Sequence, residues 1–243
     1  VLTTSDYLGV LRREGEAFAD SVATAMEKPI ASCEPWLGTD LLWHMIEVHY
    51  FWKFIVETHA MKPDDYVPPS KPADNDLLSE YRTGLNELIN ALTAIELTRT
   101  CWTWAGTQDV AWVIRRMAHE TAVHAWDARR ATGKTAMIDS VLASDGIDEF
   151  VHVMLTNDGR EGEGALRGSV HIHCTDVDGE WLIVSTESSD VIVTREHAKG
   201  DCALRGPAQD LLLALWRRIP MSSLEVIGNA DVAHQFLNRT ANN

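Results

Sequence analysis

The chain has no uninterrupted apolar run close to the roughly 18 to 20 residues that a bilayer-spanning helix needs, and no basic-then-apolar N-terminal stretch of the signal-peptide kind. A membrane partner is therefore not expected, and a cytoplasmic location is the default expectation. The four cysteines, Cys33, Cys101, Cys174 and Cys202, form no C-x-x-C pair. That excludes a zinc knuckle and gives no sign of a disulfide scaffold, so they read as buried free thiols packed as small hydrophobes. Positive charge is also scarce: 21 Lys and Arg face 36 Asp and Glu, for a net charge of -15. Phosphate backbones and anionic surfaces reward clustered cations, which this chain has few of, so nucleic acid is not expected and a small-molecule partner is the expectation. There is no internal repeat and no low-complexity tract.

What is present is an ordinary globular composition, 243 residues with 45% hydrophobic and 23% charged, enough for one large domain or two small ones. Apolar positions at helical spacing (Leu8, Val10, Leu11, Phe18, Val22, Ala25) predict a first helix over residues 3–27, opened by Thr3, Thr4 or Ser5. Thr39 or Asp40 caps a second, densely apolar helix running to about His59. Residues 62–75 hold four of the eight prolines, too many for a helix interior, so they form a loop. A third helix spans about 76–98, and a fourth runs from about 107 to 132 and stops at Gly133, a suitable C-cap. Four such helices make a bundle.

The pattern then changes. An extra helix is expected over about 138–157, followed by a Gly- and Glu-rich break at 158–164. Residues 169–174, 181–185 and 191–194 alternate with period two and predict strands, with a hairpin turn at 177–180. A short strand near 202–204, a helix opened by Gly206-Pro207 and reaching about Arg217, a strand at 224–227 and a closing helix from Asn229 or Ala230 to Leu237 complete an α+β half. The expected domains are residues 1–136 and 137–243.

The segment Arg116-Met-Ala-His-Glu-Thr-Ala-Val-His-Ala-Trp-Asp127 invites comparison with the zinc-protease motif H-E-x-x-H, but its spacing differs. His119 and His124 are five residues apart, about 140° around a helix, and cannot easily share a metal; Glu120 and His124, four apart, lie within about 40° and can. Glu120, His124 and Asp127 form one stripe, with Arg116 a turn earlier. Such a stripe faces either solvent or a site. The apolar residues of this helix form no single stripe opposite the charges, which suggests burial on more than one side. On the second helix His44 is embedded among Leu, Trp, Met and Ile. A lone histidine there is more often a satisfied core residue than a ligand, but His44, Glu120 and His124 together would offer two imidazoles and a carboxylate, a set that suits zinc and leaves a position open. A two-metal carboxylate centre through Glu47 is a minor alternative. His49 points away from His44, and His171 and His173, alternating on one strand face, read as surface or hairpin residues rather than a second metal site.

Residues 36–52 with His44, followed by the 116–127 segment, closely resemble the mycothiol-dependent maleylpyruvate isomerase family, part of the wider DinB-like superfamily of metal-binding four-helix bundles. The likeness extends to Gly206-Pro-Ala-Gln-Asp-Leu-Leu-Leu-Ala-Leu-Trp-Arg-Arg218 and to Leu224-Glu-Val-Ile-Gly-Asn-Ala-Asp231, similar to the family's C-terminal domain and related to sterol-carrier-protein folds. The resemblance implies an α+β protein, a DinB-like four-helix bundle followed by a small α+β domain with a mainly antiparallel sheet. It implies His44, Glu120 and His124 as ligands of a divalent metal, zinc foremost, with Asp127 and an arginine, Arg218 or else Arg217, in catalysis. The family often has glycine where this chain has Arg217.

The cofactor implied is mycothiol, the small thiol of actinobacteria, bound to the open metal position as a thiolate. As an isomerase the thiolate would add to a conjugated C=C bond, allow rotation and be eliminated, with Arg218 gripping a substrate carboxylate and Asp127 positioning or relaying a proton. As an S-transferase it would displace a leaving group or open an epoxide. The sequence-based order places thiol S-transfer to a small electrophile ahead of maleylpyruvate isomerisation. A non-catalytic ligand-binding protein with a structural metal is the remaining alternative, and a monomer or small homo-oligomer is expected.

Overall fold

Apolar periodicity and capping chemistry divide the chain into two compact units, Leu2–Met137 and Ile138–Asn243. The computed structural model describes residues 1–156, 166–186 and 191–240. No helix among them is long and apolar enough to cross a membrane.

The first unit holds four long helices, α1 (Thr4–Val22), α2 (Gly38–Thr58), α3 (Leu77–Ala94) and α4 (Val110–Ala131). Thr3 caps α1 through a reciprocal bond with Asp6, which satisfies amide donors that the first turn cannot. Helix α2 opens two residues earlier than expected. Leu37 is its first flanking residue, and the Asp40 carboxylate accepts from the Leu37 amide at 2.9 Å. It ends at His59, whose left-handed backbone (φ 54°) closes the helix before the proline-rich stretch.

Helix α1 packs on α4, and α2 on α3. Gly15 lets α1 approach α3 closely: a Cβ there would lie 2.5 Å from Leu85. The Tyr81 hydroxyl donates to the Gly15 carbonyl at 3.2 Å, and its ring lies 4.9 Å from that of Phe18.

One expectation is corrected between α3 and α4. The fourth helix does not begin at residue 107, because residues 100–109 form an antiparallel hairpin of β1 (Thr100–Thr103) and β2 (Gly106–Asp109). Thr, Cys and Trp side chains suit a pleated strand, Gly106 takes the positive φ of the turn, and Asp109 then caps α4 by accepting from the Trp112 amide.

The second unit opens with α5 (Ser140–Glu149), capped by Asp139 and continued by a wider π turn over Phe150–Met154. The expected end of this helix at Asn157 and the break at 158–164 lie outside the described residues. Strands β3 (Ser169–Cys174), β4 (Glu180–Ser185), β5 (Val191–Thr194), β6 (Cys202–Gly206) and β7 (Glu225–Gly228) form one sheet in the order β5-β4-β3-β6-β7. Every pairing is antiparallel except β3 with β6, so the sheet is mainly antiparallel and the chain is α+β. Helices α6 (Ala208–Leu215) and α7 (Ala230–Arg239) pack against β3 and β6, and α5 packs on α6. Val170, Ile172, Trp181 and Ile183 supply the covered face of the sheet, while Ser169, His171, His173 and Glu180 alternate onto the other.

Candidate metal centre

Between Arg116 and Ala128 helix α4 is buried on nearly every side, and Glu120 is the one half-buried residue in that stretch. The charged stripe is therefore no solvated face. Asp127 is 1% exposed and Arg116 3%. Burying such groups is costly unless each finds a partner, and each does. Arg116 Nη2 lies 2.5 Å from Glu120 Oε2. Asp127 Oδ2 lies 3.0 Å from His124 Nδ1, and Ser32 donates to Asp127 Oδ1 at 2.6 Å.

Helix α2 brings His44 to the same place. Its Nε2 lies 3.4 Å from Glu120 Oε1, and His124 Nε2 lies 3.3 Å from that same oxygen. The two rings meet edge to face with centroids 5.1 Å apart. Two nitrogens and one oxygen thus converge within 4.8 Å. Ligands bound tetrahedrally at roughly 2.0–2.1 Å stand roughly 3.3 Å from one another, so the spacing fits a small divalent cation. The donor chemistry fits as well. A carboxylate on Nδ1 holds that nitrogen protonated and leaves Nε2 with its lone pair, the arrangement usual behind metal-bound histidine.

Electrostatics prepare the carboxylate for the same role. Burial alone would raise the pKa of Glu120, but the Arg116 charge and the bonds to His124 and His44 outweigh it and hold the carboxyl well below its ordinary range. At His124 burial favours the neutral ring, and the bonds to Asp127 and Glu120 override it, raising the pKa. A cation seated among these groups would be held by the same two carboxylates.

The connection from α1 to α2 completes the wall. It folds back on itself through Ile30 donating to the Trp36 carbonyl and Gly38 donating to that of Lys28. Its short turn at Ala31–Cys33 places Ser32 on Asp127 and the Cys33 thiol 3.7 Å from Asp127 Oδ2. Cys33, His124 and Asp127 form a second, overlapping set of donors. The expectation of buried thiols holds for Cys101, Cys174 and Cys202, whereas Cys33 is half-buried at this wall. Spacing gave no sign of Ser32 and Cys33, because they come from an irregular segment about 95 residues distant in sequence. On the outer side His44 lines an open pocket of about 370 Å³ with Pro35, Trp36, Asp40, Trp43 and Glu47. The Trp36 ring stands 5.0 Å from that of His44.

Other histidines of this unit lie elsewhere. His119 is buried with its ring edge-on to Tyr7, and His49 is buried against Tyr81. In the second unit Arg218 lines a pocket of about 450 Å³ with Ile219, Pro220, Met221 and His234 among its neighbours, and donates to the Trp216 carbonyl. Arg217 borders the same pocket, but its guanidinium donates to the Leu237 carbonyl at 2.6 Å, near the end of α7. Its backbone is left-handed at φ 61°, the conformation that glycine adopts without strain.

The comparisons with known proteins agree with this architecture. No curated protein sequence matches the chain. Two solved structures do: a mycothiol-dependent maleylpyruvate isomerase carrying a histidine-to-alanine mutation (TM-score 0.61, 12% identity, 93% of each chain) and a mycothiol-dependent maleylpyruvate isomerase (TM-score 0.58, 13% identity, 88% of each chain). At such identities the likeness establishes the fold. The family description "Mycothiol maleylpyruvate isomerase N-terminal domain" matches residues 9–129, and the C-terminal domain of the same family matches residues 142–235. With both domains matched in order over most of its length, the chain belongs to the mycothiol maleylpyruvate isomerase family.

Proposed function

We propose that this protein is an enzyme that uses mycothiol and a divalent metal, zinc foremost, to act on a small electrophile, with His44, Glu120 and His124 as the metal ligands. The observation that carries the reading is the convergence of two imidazole Nε2 atoms on one Glu120 oxygen beside an open pocket. Bound there, a divalent cation supplies positive charge that favours a thiolate over a thiol whose ordinary pKa is about 8.5. The protein's own groups do the rest. Arg116 keeps Glu120 anionic, Asp127 fixes the tautomer and direction of His124, and Trp36 and Trp43 give the pocket an apolar wall.

In this reading Asp127 is a positioning residue, since its carboxylate is enclosed and both oxygens are engaged by Ser32 and His124. Arg218 is the group proposed to bind a substrate carboxylate, supported by its place on an open pocket.

Both solved relatives are named for maleylpyruvate isomerisation. That supports cis-trans isomerisation ahead of S-transfer, the reverse of the order expected from sequence. The two reactions differ in the fate of the thiol, which isomerisation returns and S-transfer consumes. Zinc-loaded protein with mycothiol and maleylpyruvate should give the trans product while free thiol stays constant, a panel of alkylating electrophiles should consume little thiol, and His44→Ala should abolish isomerisation. Thiol loss in step with product would make the enzyme an S-transferase. Failure to turn over with any thiol would leave the ligand-binding alternative.

A further inference from the structure

Four side chains in the second unit gather in a way the metal centre of the bundle does not account for. His171 and His173 are two residues apart on β3 and so share a face of the sheet. The antiparallel register sets Glu180 of β4 directly opposite His173. After β5 ends at Thr194 the chain turns back and brings His197 to the same carboxylate. His171 Nε2 lies 3.1 Å and His197 Nδ1 2.5 Å from Glu180 Oε2, and His173 Nδ1 lies 3.2 Å from Glu180 Oε1. The ring centroids are 5.7, 5.5 and 6.1 Å apart, a nearly equilateral triangle of imidazoles around one carboxylate.

We infer that His171, His173, Glu180 and His197 form a second metal site that binds a divalent transition-metal cation such as zinc. The four donor atoms all lie within 4.8 Å of one another, three nitrogens and one oxygen, a set that suits zinc and its neighbours rather than calcium or magnesium. Three imidazoles and one carboxylate aimed at a common point are a donor set that a single divalent cation can engage at once. The nearest guanidinium in register, that of Arg205 opposite His173 across β3 and β6, is taken by Glu225 at 2.7 Å. With four protein ligands the site is closed, so its role is structural: it fastens the segment after β5 onto the β3-β4 hairpin.

The test is metal content of the whole protein, stripped with chelator, reloaded with Zn²⁺ alone and freed of excess. Wild type should hold two ions per chain, His44→Ala/His124→Ala one, and His171→Ala/His173→Ala one. Because His197 is 79% exposed at its side chain, His197→Ala leaves the sheet intact and serves if the double variant fails to fold. It should weaken the second ion by more than about tenfold, and Co²⁺ in place of zinc should lose part of its tetrahedral visible absorption. The inference is overturned if the bundle variant holds no ion, or if His197→Ala binds as wild type does. A wild type with one ion that survives His44→Ala/His124→Ala but not the sheet variants would support this site and remove the one in the bundle.

Discussion

Asp127 Oδ2 and His124 Nδ1 stand 3.0 Å apart within one turn of α4, with Ser32 on the other carboxylate oxygen. The pair is sealed from solvent, so what it does must act through the imidazole. In Asp127→Asn the amide NH₂ can turn toward Nδ1, which favours the tautomer with its proton on Nε2, the nitrogen proposed to hold the metal. Zinc affinity should fall by about 10- to 100-fold, while turnover at saturating zinc recovers most of the wild-type kcat. Competition with a chromophoric chelator measures the first and steady-state kinetics the second. A kcat that stays low in fully loaded protein would give Asp127 a direct part in the reaction.

Arg116 is enclosed beside a carboxylate that is 19% exposed at its side chain. Arg116→Met strips that carboxylate of its cation. In metal-free protein the loss should be about 2 kcal/mol, below the ~3–5 kcal/mol of a fully buried pair because Glu120 keeps some contact with water. Zinc supplies a substitute charge, so the loaded protein should lose less. Urea unfolding of both forms checks this, and equal losses would mean that no ion sits on Glu120.

His49 carries a different cost. It is fully buried, neither ring nitrogen has a hydrogen-bond partner, and burial drives its pKa from 6.5 down to about 3, against a smaller upward pull from Glu120. In the unfolded chain the same ring takes a proton as pH falls through 6.5, while the folded protein refuses it until about 3. Stability is therefore lost as the solution is acidified across that window. His49→Leu should be more acid-resistant than wild type, with an advantage at pH 4 that shrinks toward pH 7. Denaturant unfolding at the two pH values reads this; an advantage independent of pH would point to packing alone.

The two neighbouring arginines should separate by experiment. Arg217→Ala keeps the left-handed backbone but loses the bond to the Leu237 carbonyl, so it should cost about 1 kcal/mol of stability and leave KM unchanged. Arg218→Lys keeps a charge but cannot form a two-pronged grip on a carboxylate, and should raise KM for a carboxylate substrate with little change in Tm. A reversed pattern would exchange their roles.

The bundle was legible because its helices carry dense apolar periodicity, and the Glu120-His124 pair because four residues make one helical turn. The β1-β2 hairpin was missed because its strand residues adjoin a helical pattern that runs on through position 107, and only Asp109 marks the true boundary. His44 has no spacing relationship to α4, so residue chemistry could offer it as a third ligand but not place it there. Ser32 and Cys33 lie in a single 3-10 turn, too short for any periodicity to mark. The same limit applies to the histidines of the sheet: alternation shows that His171 and His173 share a face, but Glu180 joins them only through strand register, and His197 through a loop that returns outside any regular element.

The grip of Arg116 on Glu120 Oε2 has a further consequence. With one oxygen claimed by a guanidinium, the carboxylate has a single tooth to offer, so an ion seated between α2 and α4 would meet three donors where a two-toothed carboxylate would bring four. In the proposed metal site Arg116 would thereby guard the coordination number, reserving a berth for a guest from solution.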